Sequence, residues 1–219
     1  MTAACTLLPD LLGYAGATRP THRVPDADEC RDSPVWAAVR TGMRHHIEVD
    51  RVFHSCDWFE QRMQASGQWL RDRQSPLREH WSLWVLRHVT IELVIDRQLL
   101  VEDDALPGRV YVGLEALAAD RAAVAALEAR FGGSLQRYLD EFLARQWLHH
   151  YRDETNLPHV LSRIFGRLLT RKPRIREVYG DTETFTAAEE AALPGFIDAV
   201  IEQVADAGLP PIVVPVASE

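Results

Sequence analysis

Residues 44–54 read Arg-His-His-Ile-Glu-Val-Asp-Arg-Val-Phe-His and place His46, Asp50 and His54 at steps of four. Residues four apart lie on nearly the same face of an α-helix, because one turn holds about 3.6 residues. Imidazole and carboxylate groups both bind divalent metal ions. One face of a predicted helix therefore carries three side chains of metal-binding chemistry.

The same spacing recurs further along the chain, at His88, Glu92 and Asp96. The residues between and around these three, from 83 to 95, are mostly apolar. A helix that is apolar on nearly all sides is usually a buried, central helix. Carboxylates in such a helix are costly unless a cation or a hydrogen-bond donor compensates them.

Two such triplets on two long helices predict one shared site for a divalent ion. Imidazole and carboxylate together suit Mn, Fe or Zn. The predicted metal ligands are His46, Asp50, His88, Glu92 and Asp96. In the alternative interpretation, arginines neutralise the same acids in a structural network without a metal. Those arginines are Arg44, Arg51, Arg87 and Arg97.

The capping and helix-breaking residues along the chain are those of a helical protein. Asp32-Ser33-Pro34 and Ser75-Pro76 each combine a capping residue with a proline, which is typical of a helix start. Gly132-Gly133 is a helix stop, and Thr186-Ala-Ala-Glu189 is a capping box. The predicted helices run from about 35 to 64, 76 to 101, 110 to 130, 135 to 149, 156 to 169 and 187 to 207.

Apart from a Pro/Val-rich tail at 210–219, which we predict to be extended, no stretch alternates apolar and polar residues as a strand does. We therefore expect an all-α fold with one helical domain over 1–219. Its two central helices are expected to bear the metal.

The amino-acid composition indicates in which compartment the protein functions and which partners it can bind. The three cysteines, Cys5, Cys30 and Cys56, form no CxxC pattern and favour a reducing compartment. The N-terminus does not resemble a signal peptide, and the charges within residues 81–100 exclude a bilayer span. The net charge of −8 gives no attraction to nucleic acid. We expect a cytoplasmic protein that binds neither membranes nor nucleic acid.

Other residues are candidates for handling protons or substrate. No glycine-rich phosphate loop and no nucleophile elbow is present, which favours attack by a metal-activated water. The acid–base candidates are Asp10, His54, His149 and His150. A basic stretch, usually a solvated face, is the candidate for binding a phosphate or an acidic partner. It contains Arg163, Arg167, Arg171 and Lys172.

Several short motifs resemble those of bacterial acyl carrier protein phosphodiesterases. They occur in the family's order over residues 7–169. They are Leu7-Leu-Pro-Asp10, Gly42-x-x-x-His46-x-x-x-Asp50-x-x-Phe53-His54, Glu92-x-x-x-Asp96, Phe142-Leu-Ala-Arg-Gln-Trp147 and Leu161-Ser-Arg-Ile-Phe165. Three departures concern the substrate more than the fold. The histidine usual near the start of the family's sequences is missing before Cys5, and His54-Ser-Cys56 and Arg97-Gln98 replace the sequences usual in the family.

The resemblance implies an all-helical relative of HD-type metal-dependent phosphohydrolases. It implies hydrolysis, with a divalent ion such as Mn²⁺, of the phosphodiester that joins phosphopantetheine to acyl carrier protein. Carried over by position, the matches are Asp10, His46, Asp50 and Asp96, while Glu92 stands where an aspartate is expected. The substrate is then an acyl carrier protein or a related small phosphoester.

Two alternatives remain open from the residues. A zinc phospholipase C-like hydrolase also uses histidines and acids four residues apart on helices. A non-catalytic helical binding protein would use the polar residues as structural networks. The sequence leaves the oligomeric state open.

Overall fold

The structure, a computed structural model, describes residues 2–17, 24, 26, 34–171 and 184–210. Every regular element in these ranges is a helix and none is a strand, which confirms the predicted all-α class. The α-helices are α1 (Thr2–Cys5), α2 (Leu8–Tyr14), α3 (Pro34–His54), α4 (Asp57–Asp72), α5 (Leu83–Glu102), α6 (Leu106–Ala119), α7 (Arg121–Phe131), α8 (Leu135–Arg145), α9 (Trp147–Tyr151), α10 (Leu157–Arg171) and α11 (Ala187–Ala207).

The chain divides into two compact units. The first contains residues of Met1–Val52 and Asp103–Trp147, and the second contains Phe53–Glu102 and residues of Leu148–Pro211. One domain over 1–219 stays a prediction. The predicted extended tail lies outside the described residues, apart from Pro210.

In the first unit, α1 packs against α6, and α8 packs against α2, α6 and α7. The interior is leucine-rich, with Leu8, Leu12, Leu114 and Leu127 fully buried. Within this unit the backbone of α3 comes very close to the end of α1. A Cβ at position 42 would lie 2.5 Å from the carbonyl carbon of Cys5, so only Gly42 fits there.

In the second unit, α11 packs against α4, α5 and α10. The predicted capping box at the start of α11 is confirmed. The Thr186 hydroxyl accepts a hydrogen bond from the Glu189 amide at 3.3 Å, and the Glu189 carboxylate accepts one from the Thr186 amide at 2.7 Å. The core contains Leu70, Leu86, Ile91, Phe165 and Phe196.

Four predicted helices are interrupted. Cys56 adopts an extended backbone (φ −87°, ψ 148°), so residues 35–64 form α3 and α4 instead of one helix. A 3-10 helix, Pro76–Glu79, precedes α5 as a separate element. Asp120 ends α6, and its carboxylate caps α7 by accepting from the Ala123 amide. Gln146 is left-handed (φ 52°) and separates α8 from α9.

Among the described helices, none combines the length and the apolar character that crossing a bilayer requires. The long helix α5, in which sequence analysis noted charges, carries Arg87, His88, Glu92, Asp96 and Arg97. Such side chains oppose insertion into a bilayer.

His80 is a buried imidazole that joins two distant parts of the second unit. Its side chain is packed against Phe185, with ring centroids 4.7 Å apart, and against the edge of Phe165. The Ser82 amide donates to Nδ1 at 3.2 Å, so Nε2 carries the proton and donates to the Thr184 carbonyl at 3.1 Å. Burial lowers the pKa of His80, against smaller opposing effects of these hydrogen bonds and of the Glu189 charge.

Acidification is therefore expected to destabilise the fold through His80. Because its pKa is lowered from 6.5 in the folded state, the unfolded chain binds the proton more readily, and stability falls as the pH drops below about 6.5. Urea unfolding at pH 7.5 and 5.5 measures this fall, which should be smaller in a His80→Gln variant than in the parent. An equal fall in both proteins would show that other groups cause it.

Candidate metal centre

Three potential metal ligands converge inside the second unit. His54 is the last residue of α3, while His88 and Glu92 lie one turn apart on α5. The turn at Ser55–Cys56 ends α3 directly after His54. This imidazole therefore lies at the boundary between helix and turn, whereas the other two side chains project from the middle of a long helix.

The donor atoms are close enough to share one ion. Glu92 Oε1 lies 3.0 Å from His88 Nε2 and 3.4 Å from His54 Nε2. One donor atom from each of the three side chains lies within 4.8 Å of the others. Atoms bound to one tetrahedral ion at about 2.0–2.2 Å are themselves roughly 3.3–3.6 Å apart. The two contacts of Glu92 are thus close to the spacing that one shared metal ion requires.

Aromatic rings form a wall behind the two imidazoles. The ring centroids of His54 and His88 are 4.5 Å apart, and the Phe59 ring stands edge-on to both, at 5.0 and 5.2 Å. Phe53 packs against His54, and Trp84 against His88. Such contacts restrict the imidazoles to a few orientations and keep water from one side of the site.

The front of the cluster is open. The side chains of His54, His88 and Glu92 retain 27%, 16% and 38% of their exposure. These values leave room for a water molecule or a ligand atom beside Glu92. Nδ1 of His88, in contrast, is buried and has no hydrogen-bond partner among the described residues. Metal-binding histidines usually donate from their second nitrogen, so this site lacks one common support.

Of this group, His88 and Glu92 were predicted as metal ligands, whereas His54 was predicted as an acid–base group. The remaining predicted ligands lie elsewhere along the same helices. Asp96 follows Glu92 by one turn on α5, is exposed, and does not belong to the three-residue group. His46 and Asp50 lie on α3 in the part that belongs to the first unit. In that unit, His46 Nε2 lies 3.9 Å from Asp10 Oδ2, so these two side chains are neighbours. A site shared by both triplets stays a prediction.

The remaining candidates are spread over two helices. His149 and His150 are exposed on α9, and the His150 carbonyl accepts a hydrogen bond from Asn156 at 3.3 Å. Arg163 and Arg167 are half-buried on α10. Arg171 is the last residue of that helix, and Lys172 lies outside the described residues. Their roles with substrate stay predictions.

Sequence analysis missed the aromatic wall. Phe59 lies five residues beyond His54, and a single continuous helix over 35–64 would have turned it about 140° away. The break at Cys56 changes its direction. A cysteine followed by Asp57 in the first turn of α4 was the available signal for a new helix start.

Comparison with known proteins identifies no relative: no protein-family model matches the chain, and no curated protein or solved structure is significantly similar to it. The resemblance to acyl carrier protein phosphodiesterases stays a prediction that rests on its motifs.

Proposed function

We propose that this protein is a metal-dependent phosphodiester hydrolase whose ion is held by His54, His88 and Glu92. The observation that carries the proposal is the convergence of these three donors within 4.8 Å, in a half-open site. Two imidazoles and one carboxylate suit Zn²⁺, Fe²⁺ or Mn²⁺. Three protein ligands leave a coordination position for water, as in catalytic metal sites.

The chain's own residues would orient the metal ligands and the substrate. Phe59 fixes the imidazoles from behind, and the exposed side of Glu92 is where substrate approaches. A bound divalent ion would supply a water of lowered pKa and polarise a phosphoryl oxygen. Asp10, His149 and His150 remain the proposed proton-handling groups.

The choice of a phosphodiester comes from the motifs, since the donor set alone would serve other hydrolases. The ordered motifs between residues 7 and 169 support an HD-like bundle that uses a divalent ion, for which we propose Mn²⁺. The sparse, unpatterned cysteines support a cytoplasmic enzyme. Acyl carrier protein or a small phosphoester is then the proposed substrate. The arginines of α10, Arg163, Arg167 and Arg171, would bind its phosphate or an acidic protein surface.

One observation favours a non-catalytic role instead. The 3.0 Å contact between His88 and Glu92 is also a good hydrogen bond, and no second partner supports His88 Nδ1 among the described residues. His88 could therefore serve as the hydrogen-bond donor to the Glu92 carboxylate without a metal. In that case the cluster stabilises the helices, and the protein acts by binding a partner.

Metal removal and reloading separates these functions. We expect the purified protein to contain a divalent ion by plasma mass spectrometry, and dialysis against a chelator to abolish hydrolysis of bis(p-nitrophenyl) phosphate. Mn²⁺, Zn²⁺ or Fe²⁺ should restore it, and the same samples should be tested for release of phosphopantetheine from holo acyl carrier protein.

A His159→Gln variant is the matched control, because this exposed histidine lies on α10 outside the three-residue group. It should retain the metal and the activity of the parent. If the protein binds none of the added metal ions and cleaves no phosphoester in their presence, the non-catalytic role is favoured.

A further inference from the structure

A surface cavity of about 570 Å³, widely open to solvent, lies within the second unit, along α4 and beside Arg87 of α5. Its size falls in the range typical of small-molecule sites. The charged lining is entirely basic, and the remaining lining is almost entirely polar. The arginines are Arg62, Arg71 and Arg87, and the glutamines are Gln61, Gln64 and Gln68.

The three arginines have only neutral hydrogen-bond acceptors. Arg71 donates to Gln68 Oε1 at 2.7 Å, and Arg62 donates to the Gln203 carbonyl at 2.8 Å. Arg87 donates to the Met63 carbonyl and lies 3.4 Å from the Ser66 hydroxyl. None of the three forms an ion pair with a carboxylate in the described part of the chain.

No carboxylate lines the cavity, although the protein is acidic. The chain has a net charge of −8, so carboxylates are in excess. Glu60 and Asp72 are nearby on α4, but each accepts a hydrogen bond from a glutamine, Gln64 and Gln68 respectively. The three guanidinium groups therefore have no direct carboxylate partner in the described part of the chain.

Arg87 lies against α4 at the cavity wall. Its guanidinium lies over Gly67, where a Cβ would approach its Cζ to 3.0 Å, so a larger residue at position 67 would crowd it. Burial and the nearby charge of Arg71 lower the pKa of Arg87. An anion between these two arginines would relieve their repulsion.

We propose that this cavity binds a small, polar organic phosphate. Guanidinium groups bind phosphate oxygens in a bidentate manner, and several converging arginines are a common phosphate site. Gln61, together with the hydrogen-bonding capacity that Gln64 and Gln68 retain beside their bonds to Glu60 and Asp72, supplies donors and acceptors for hydroxyl groups. Ala65 is the apolar side chain in the lining, and no aromatic ring is present there on which a nucleobase would stack. A sugar phosphate therefore fits better than a nucleotide.

The cavity is distinct from the metal cluster in its residues. Arg87 and His88 are neighbours on α5, but successive helical residues point about 100° apart. The proposal does not depend on hydrolase activity, and it is tested on chelator-treated protein so that phosphate cannot bind through a metal.

Isothermal titration at constant ionic strength is the first test, with glucose 6-phosphate, glucose, inorganic phosphate and adenosine monophosphate as probes. We expect glucose 6-phosphate to bind more tightly than inorganic phosphate, and glucose not to bind. The side-chain Nε–Hε resonance of Arg87 should shift on titration. No binding of glucose 6-phosphate, or tighter binding of adenosine monophosphate, would overturn the proposal.

Two arginine variants locate the site. Arg71→Gln removes an exposed charge at the cavity and should weaken glucose 6-phosphate binding about tenfold, the effect of one charge-assisted hydrogen bond. Arg78→Gln is the control, since Arg78 is exposed but ion-paired with Glu79 outside the cavity. Equal losses in both variants would indicate non-specific attraction and overturn the proposal.

A third variant distinguishes this site from the metal centre. Metal-free His88→Gln protein should bind glucose 6-phosphate as the parent does, even if it has lost all hydrolase activity. Binding that is lost in His88→Gln and retained in Arg71→Gln would place the phosphate at the histidine cluster and overturn the proposal.

Discussion

The Glu92→Gln protein is expected to bind Mn²⁺ or Zn²⁺ at least about a hundredfold more weakly than the parent. Glu92 supplies the negative charge among the three donors, and its Oε1 contacts both imidazoles. Glutamine keeps the size of the side chain and a hydrogen-bonding oxygen, so the fold should persist. A competition titration against a fluorescent chelator at pH 7.5 measures the affinity.

Glu102→Gln is the matched control for this loss. Glu102 is an exposed carboxylate at the end of α5 and accepts a hydrogen bond from Gln98. Its removal changes the net charge by the same amount without touching the cluster, so the metal affinity should stay within about twofold of the parent. Equal affinity of the Glu92→Gln protein and the parent would exclude Glu92 as a ligand.

The helical class was predictable because its signals are local. Proline after a capping residue, paired glycines and the box at Thr186–Glu189 all depend on neighbouring residues, and the box forms as expected. The breaks were less predictable. Cys56 carries no side-chain cap hydrogen bond, and Gln146 reaches a left-handed backbone without being glycine or asparagine. Tertiary packing overrides local preference at such positions.

The candidate site was predictable only in part, because spacing orders side chains along one helix but does not determine which helices meet. The pairing of His88 with Glu92 follows from their four-residue separation. The approach of His54 to both depends on where α3 ends, and that end lies at the unpredicted break. Arg62 and Arg71 of the cavity were missed because isolated basic residues on a helix usually lie on a solvated face.

Truncating the ring that supports both histidines should damage stability and metal binding together. Phe59 is only 5% exposed and contacts the rings of Phe53, His54 and His88. Its replacement by Ala removes most of a buried aromatic side chain, which typically costs about 3–5 kcal/mol in the free energy of unfolding. The freed imidazoles would also lose their fixed orientation, so the metal affinity should fall, by about tenfold or more.

Phe165→Ala distinguishes the two effects. Phe165 is fully buried in the same unit, but its ring packs against His80, Trp81 and Phe185 rather than against the cluster. It should lose a similar free energy of unfolding in urea, measured with a chelator present, while the folded protein keeps the parent's metal affinity. Phe59→Leu and Phe165→Leu repeat the comparison with smaller cavities, in case an alanine variant does not fold. Equal metal affinity in the Phe59 and Phe165 variants would show that the aromatic wall stabilises the unit without orienting the ligands.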